Sequence, residues 1–274
     1  MTAAEAESLA LQFRGFLNTP QIWQDNSAPF PQYDFREFDL PQSLQLKIPP
    51  SLPLGRRIEH FFAYYINHYT EQEVLSANVQ ISSEKITIGE LDFLLKDPKG
   101  VVTHLELVYK FYIYHPSFAS EEERWIGPNR RDSFQRKLKH LREHQFPLLY
   151  RKETQDHLDQ LNLKSEEIRQ QVCFKANLFV PKQLLTEKFP AVNPQCITGY
   201  WIRQKEFTAK EFGSSLFFSP KKADWPRDPS KNEEWKTFSE IKEQLQTLLD
   251  RKKSPLVWIK KSSGKLERFF IVWW

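Results

Sequence analysis

Three strand-like runs follow one another between residues 77 and 114, and few folds accommodate what they carry. They read ANVQIS (77–82), KITIGELDFLLK (85–96) and VVTHLELVYKFYIY (101–114), each rich in β-branched or aromatic residues. The junction KDPKG between the last two is a tight turn, so these runs are expected to pair as a hairpin. Side chains alternate on a strand. Asp92 therefore shares a face with Glu90 and Ile88, and Glu106 shares one with His104, Val108 and Lys110. The other face of the third run, with Leu105, Leu107, Tyr109 and Phe111, is an apolar set suited to a core.

Amphipathic segments flank these strands. PLGRRIEHFFAYYINHY predicts a helix from near Leu54, with Ile58, Phe62, Tyr65 and Tyr69 as its buried stripe. Glu59 sits at the border of that stripe, where a carboxylate needs a partner such as Arg56. After GPN (127–129), RRDSFQRKLKHLREHQ predicts a basic helix with Phe134, Leu138, Leu141 and Gln145 facing inward. Arg131, Gln135 and Arg142 flank one side of that stripe, and Arg130, Lys137 and His144 the other. A strand follows at 172–180.

Outside this stretch, residues 3–16 form a helical pattern (Leu9, Phe13, Phe16) capped by Thr2. A proline-rich segment, 26–53, is expected to lie extended over the domain. Toward the C-terminus, strands are expected at 199–207 and 214–219. A helix starts at Thr237 with Glu240 completing a capping box, and Ile241, Leu245 and Leu248 form its stripe. PLVWIKK and KLERFFIVWW, joined by SSG, close the chain as a hairpin. The expected class is α/β. Residues 1–53 pack as a helix and extended segment on a core of 54–180, and 181–274 form an α+β elaboration of the same domain.

Composition narrows the functions. Eight glycines in 274 residues argue against a glycine-rich phosphate loop. Cys173 and Cys196 have no zinc-type spacing and no disulfide framework, which suits a reducing compartment. His104 and His144 have no partner at metal-ligand spacing and read as structural. The opening residues lack the pattern of a signal peptide, and no window approaches the ~20 apolar residues that span a bilayer. A soluble cytoplasmic protein with no membrane partner is expected. The net charge of +4 is clustered: residues 124–152 hold nine Lys/Arg against Asp132 and Glu143, and 251–268 hold seven against Glu267. Such clusters suit a polyanion, although they also suit solvated helix faces.

Taken in order, LGRRIEHFFAYY, TIGELDFLL, HLELVYKFY and the GPN-to-HQ helix resemble a bacterial family of unknown function in the PD-(D/E)XK nuclease superfamily, over about 54–180. The resemblance implies a restriction-endonuclease-like core that hydrolyses phosphodiesters of DNA or RNA with Mg²⁺, or Mn²⁺. It assigns metal binding to Asp92, the reactive lysine to Lys110 and a helix-borne carboxylate to Glu59. From the residues themselves, Glu106 is the nearest acid on the face of Lys110 and the candidate second catalytic and metal-binding acid. Arg131, Lys137 and Gln145 on the basic helix suit either nucleic-acid phosphate contacts or a capping of the core.

One departure stands out. The superfamily places an acid two residues before the lysine, and Val108 is there instead. Glu106 lies four residues before Lys110, about 13 Å along a regular strand where about 7 Å is needed. A β-bulge could shorten that distance, Glu59 or Glu90 could supply the second carboxylate, or the site could bind without cutting. Two other functions therefore stand beside the nuclease. One is a non-catalytic nucleic-acid-binding module, and the other is a protein-interaction scaffold using Trp258, Trp273 and Trp274.

Overall fold

The structure, a computed structural model, describes residues 3–24, 28–35 and 44–274. Thr2, Asn26 and residues 36–43 of the proline-rich segment lie outside the described residues. In chain order the first elements are α1 (Ala3–Asn18), α2 (Leu54–Tyr69), β1 (Glu73–Ser83), β2 (Ile86–Lys96), β3 (Val102–Tyr114), α3 (Glu121–Arg124) and β4 (Trp125–Ile126). Then come α4 (Phe134–His140), a π turn (Leu141–Gln145), α5 (Phe146–Leu148), α6 (Lys152–Gln160), β5 (Arg169–Pro181) and β6 (Ile197–Arg203). The last are α7 (Ala209–Phe212), β7 (Leu216–Phe218), α8 (Phe238–Asp250), β8 (Leu256–Lys260) and β9 (Leu266–Val272). The fold is α/β, a large mixed β-sheet flanked by helices. Among the described residues no helix is long and apolar enough to cross a membrane.

The chain divides into two compact units, one of Met1–Ile22, Lys110–Gln135 and Ala176–Trp274, the other of Trp23–Tyr109 and Arg136–Lys175. In the second unit β1, β2 and β3 are successive antiparallel neighbours, and β5 follows β3 in the sheet. The turn that sets the β2–β3 register is written in its residues. Asp97 Oδ1 accepts the Lys99 and Val101 N–H groups at 2.9 and 2.8 Å, and Gly100 takes φ +83°, a conformation that side chains disfavour. The ladder then pairs Lys96 with Val102 and Phe93 with Leu105. Helix α2 buries Ile58, Phe61, Phe62, Tyr65 and Ile66. Part of the proline-rich segment does run extended: Gln32 bridges Val172 in parallel, with Tyr33 N donating to Val172 O at 2.9 Å.

The first unit places β6 parallel to both β5 and β9, then continues antiparallel through β8 to β7. Its core gathers Phe207, Phe212, Phe217, Phe238, Ile241, Leu245 and Phe269, so here the phenylalanine-rich composition serves packing. Thr237 caps α8 and Glu240 closes the capping box, as the sequence predicts. The buried fourth position of that helix is Leu249, with Leu248 only partly buried, a one-residue correction within the same face. Two strand expectations shorten. Residues 204–206 leave β6 as a 3₁₀ turn, because the Glu206 carboxylate accepts the Arg203 N–H at 2.6 Å, and 214–219 reduces to β7. The closing hairpin forms as β8 and β9. Arg268 covers the Trp258 ring at 5.3 Å and Arg130 covers Trp274 at 4.7 Å, so both indoles are engaged within the unit.

Candidate functional site

Asp92 and Glu106 meet because of the hairpin turn. Each lies one residue beyond the Phe93–Leu105 pair on its strand, which sets the two side chains next to each other on one face. At that point Asp92 Oδ2 takes the Leu107 N–H at 2.8 Å, a side-chain oxygen accepting from the backbone. The two carboxyl groups are close enough for each to affect the ionisation of the other. Glu106 is fully buried and Asp92 partly so.

Each oxygen of Glu106 has its own partner. His104 Nε2 donates to Oε1 at 2.9 Å, and Gln145 Nε2 donates to Oε2. Gln145 Oε1 in turn accepts from Lys137 Nζ. This last contact corrects the sequence reading, which put Gln145 inward and Lys137 on a flank. Residues eight apart on an α-helix point about 80° away from each other, whereas seven apart differ by about 20°. The π turn Leu141–Gln145 takes up one extra residue, so Lys137 and Gln145 come onto one face. The basic helix also begins at Phe134 rather than at 130.

The electrostatics follow from burial. Glu106 titrates at about 7 because its charged form is desolvated, and Lys137 and the hydrogen bonds from its neighbours only partly offset that. Asp92 is raised well above the ordinary carboxylate range, first by burial and then by the adjacent charge of Glu106; the Leu107 N–H and Lys137 oppose the rise. His104 is pushed down to about 4 by burial and is neutral. Two acids side by side, both resisting ionisation, and one nearby ammonium make up the site.

The other sequence candidates have partners of their own, although the charge of Glu59 also adds to the rise at Asp92. Arg56 clamps Glu59 at 2.8 Å and Glu90 at 2.7 and 3.0 Å, so the helix-borne acid is held in a cationic pair, as its border position anticipated. Lys110 Nζ donates to Asp132 at 2.5 Å in the first unit. Lys137 is a lysine whose charge favours the ionised form of both Asp92 and Glu106. Arg131 is exposed in the first unit, where it and Lys110 help burial to lower the pKa of Lys222. Val108 is buried. Sequence reasoning missed Gln170, whose Nε2 lies 3.1 Å from His104 Nδ1. It also took His104 as structural, although the alternation His104–Leu105–Glu106 puts the imidazole and the acid on one face.

Among the described residues no group of three His, Cys, Asp or Glu side chains converges as a cation cage. Asp92 and Glu106 form a two-carboxylate oxygen donor set. Oxygen donors of this kind suit a hard cation such as Mg²⁺. It would reach the pair from the side of the partly exposed Asp92, since Glu106 is buried and each of its oxygens already accepts a hydrogen bond. A protein-family model described as "Domain of unknown function (DUF1853)" matches residues 9–272. No curated protein and no solved structure matches the chain.

Proposed function

The chain belongs to the DUF1853 family, and we propose that it is a nuclease-like phosphodiesterase acting on nucleic acid through Asp92 and Glu106. The observation that carries this reading is the pair of neighbouring carboxylates on β2 and β3, both raised by burial, with Asp92 raised further by the charge of Glu106. A divalent cation is what such a pair would accept. Between residues 54 and 181 the chain runs α2, β1, β2, β3, α3, β4, α4, the π turn, α5, α6 and β5. The succession α2, β1, β2, β3, α4 and β5 within it is the order of the resemblance in the sequence, which supports a restriction-endonuclease-like core of the PD-(D/E)XK superfamily.

Asp92 and Glu106 would hold Mg²⁺ or Mn²⁺. Such an ion supplies Lewis acidity toward a phosphoryl oxygen and lowers the pKa of its bound water. Lys137 contributes the positive charge that offsets two carboxylates and a developing phosphorane. Gln145 ties that lysine to Glu106. Arg136, Lys139 and Arg142 are exposed beside Lys137 along α4 and the π turn, where they suit phosphate contacts.

Calorimetric titration of Mg²⁺ or Mn²⁺ into the wild type and Asp92→Ala at neutral pH tests the proposal. Binding that disappears in the variant, followed by metal-dependent cleavage of labelled DNA or RNA, is expected; no binding in the wild type sinks it. A second reading, a nucleic-acid-binding module without catalysis, is favoured by Val108 standing buried in the usual acid position and by Lys110 being committed to Asp132. It predicts binding that weakens steeply with salt and ignores metal.

A further inference from the structure

We propose that His104 and Gln170 are positioning residues that aim the Glu106 carboxylate, and that both of its oxygens are set from a single turn of the chain. The inference rests on Glu106 being a ligand in the site proposed above.

Proton bookkeeping leaves this brace one arrangement. Gln170 Nε2 lies 2.8 Å from Phe146 O. A carbonyl oxygen only accepts, so the atom facing it is the amide nitrogen, which fixes the orientation of the Gln170 amide. The same NH₂ group lies 3.1 Å from His104 Nδ1. Nδ1 therefore offers a lone pair, and the imidazole carries its proton on Nε2. Nε2 is 2.9 Å from Glu106 Oε1 and donates to it. The chain of donors runs one way, from Gln170 through His104 to the carboxylate, with Phe146 O as the backbone anchor.

The second oxygen is reached from the neighbouring residue. Gln145 ends the π turn and donates to Glu106 Oε2, while Phe146 begins α5 and anchors the brace on Oε1. Both arms thus start from adjacent residues, and the π turn that brings Lys137 and Gln145 together also sets where the outer brace is anchored. Partners that fix the tautomer and direction of a first ligand commonly change metal affinity about 10–100-fold when removed. His104 and Gln170 fit that role toward a carboxylate.

The test combines ¹⁵N-imidazole NMR with Mn²⁺ calorimetry on the full-length chain and on His104→Gln, His104→Leu and Gln170→Leu. The His104 signal, assigned by its loss in His104→Gln, is expected to report the Nε2–H tautomer in the wild type and a shift toward Nδ1–H in Gln170→Leu. Mn²⁺ affinity is expected to fall about 10–100-fold in His104→Leu and Gln170→Leu, and to stay within about threefold of wild type in His104→Gln, which keeps an N–H donor. Gln170 is half-buried, so its variant remains informative if His104→Leu fails to fold. An Nδ1–H tautomer in the wild type overturns the brace, as does a Gln170→Leu protein with unchanged tautomer. Unchanged Mn²⁺ affinity in Gln170→Leu overturns its positioning role. A wild type that shows the Nε2–H tautomer but binds no Mn²⁺ removes the metal-site reading and leaves the brace standing as the support of a buried acid.

Discussion

At Glu106 the cost of ionisation and the use of the site are the same fact. The folded chain holds its proton up to about pH 7, against an ordinary value of 4.5. A carboxyl raised in the folded state contributes stability that is fully present below the unfolded pKa and is lost as pH rises through the folded one. The window is therefore about pH 4.5 to 7, and the loss is on the order of 3 kcal/mol for this group. Asp92→Asn removes the adjacent like charge. In chelator, the melting temperature of Asp92→Asn minus that of the wild type should increase between pH 5 and pH 8, because burial and the charge of Glu106 both raise the Asp92 carboxyl; a constant difference would show that folding does not raise it. Lysines give a second prediction. Lys137→Met should lower metal-dependent cleavage by about 10²–10³-fold, the scale of losing one charge-stabilising donor, while Lys110→Met stays within a few-fold of wild type. Equal losses would return Lys110 to the site.

Elements carry the next level of detail. The capping box of α8 satisfies N–H groups that the helix itself leaves without partners, since Thr237 Oγ1 accepts from Glu240 N and the Glu240 carboxylate accepts from Thr237 N at 2.8 Å. Thr237→Ala should cost about 1 kcal/mol and lower the melting temperature by about 2–4 °C. Metal titration should be unchanged, because this helix packs in the core of the first unit. A loss of metal binding with that variant would mean that the site depends on distant elements. The π turn shows why periodicity alone placed Lys137 wrongly. A stripe counted at 3.6 residues per turn assumes an unbroken α-helix, and one extra residue rotates everything beyond it.

For the molecule as a whole, residues 181–274 supply β6 to β9 and α8, yet they share a compact unit with Met1–Ile22 and Lys110–Gln135. Cutting the chain after 180 should remove most of the apolar cluster of that unit and leave α1 and the second half of β3 without it. Fragment 1–180 is therefore expected to lack a sharp calorimetric unfolding transition. A fragment that melts as cooperatively as the full chain would show that 181–274 is an independent appendage.

Local chemistry written in the chain determined a good deal. Strand alternation, the Asp97–Gly100 turn and the Thr237 cap are decided by residues within a few positions of each other, and they appear where the sequence puts them. For Asp92 and Glu106 the sequence showed only the face each occupies on its own strand; their juxtaposition came with the register that the turn sets between β2 and β3. What needed the tertiary structure was every contact made across large separations. Gln145 reaching Glu106, Gln170 reaching His104 and Asp132 claiming Lys110 all depend on how helices and strands pack. A lysine is long enough to serve several neighbours, and its sequence position records only the strand or helix face it leaves from. Which carboxylate it meets is set by the burial and packing of residues far away in the chain, and so the sequence pointed to Lys110 while the fold brought Lys137 to the acids.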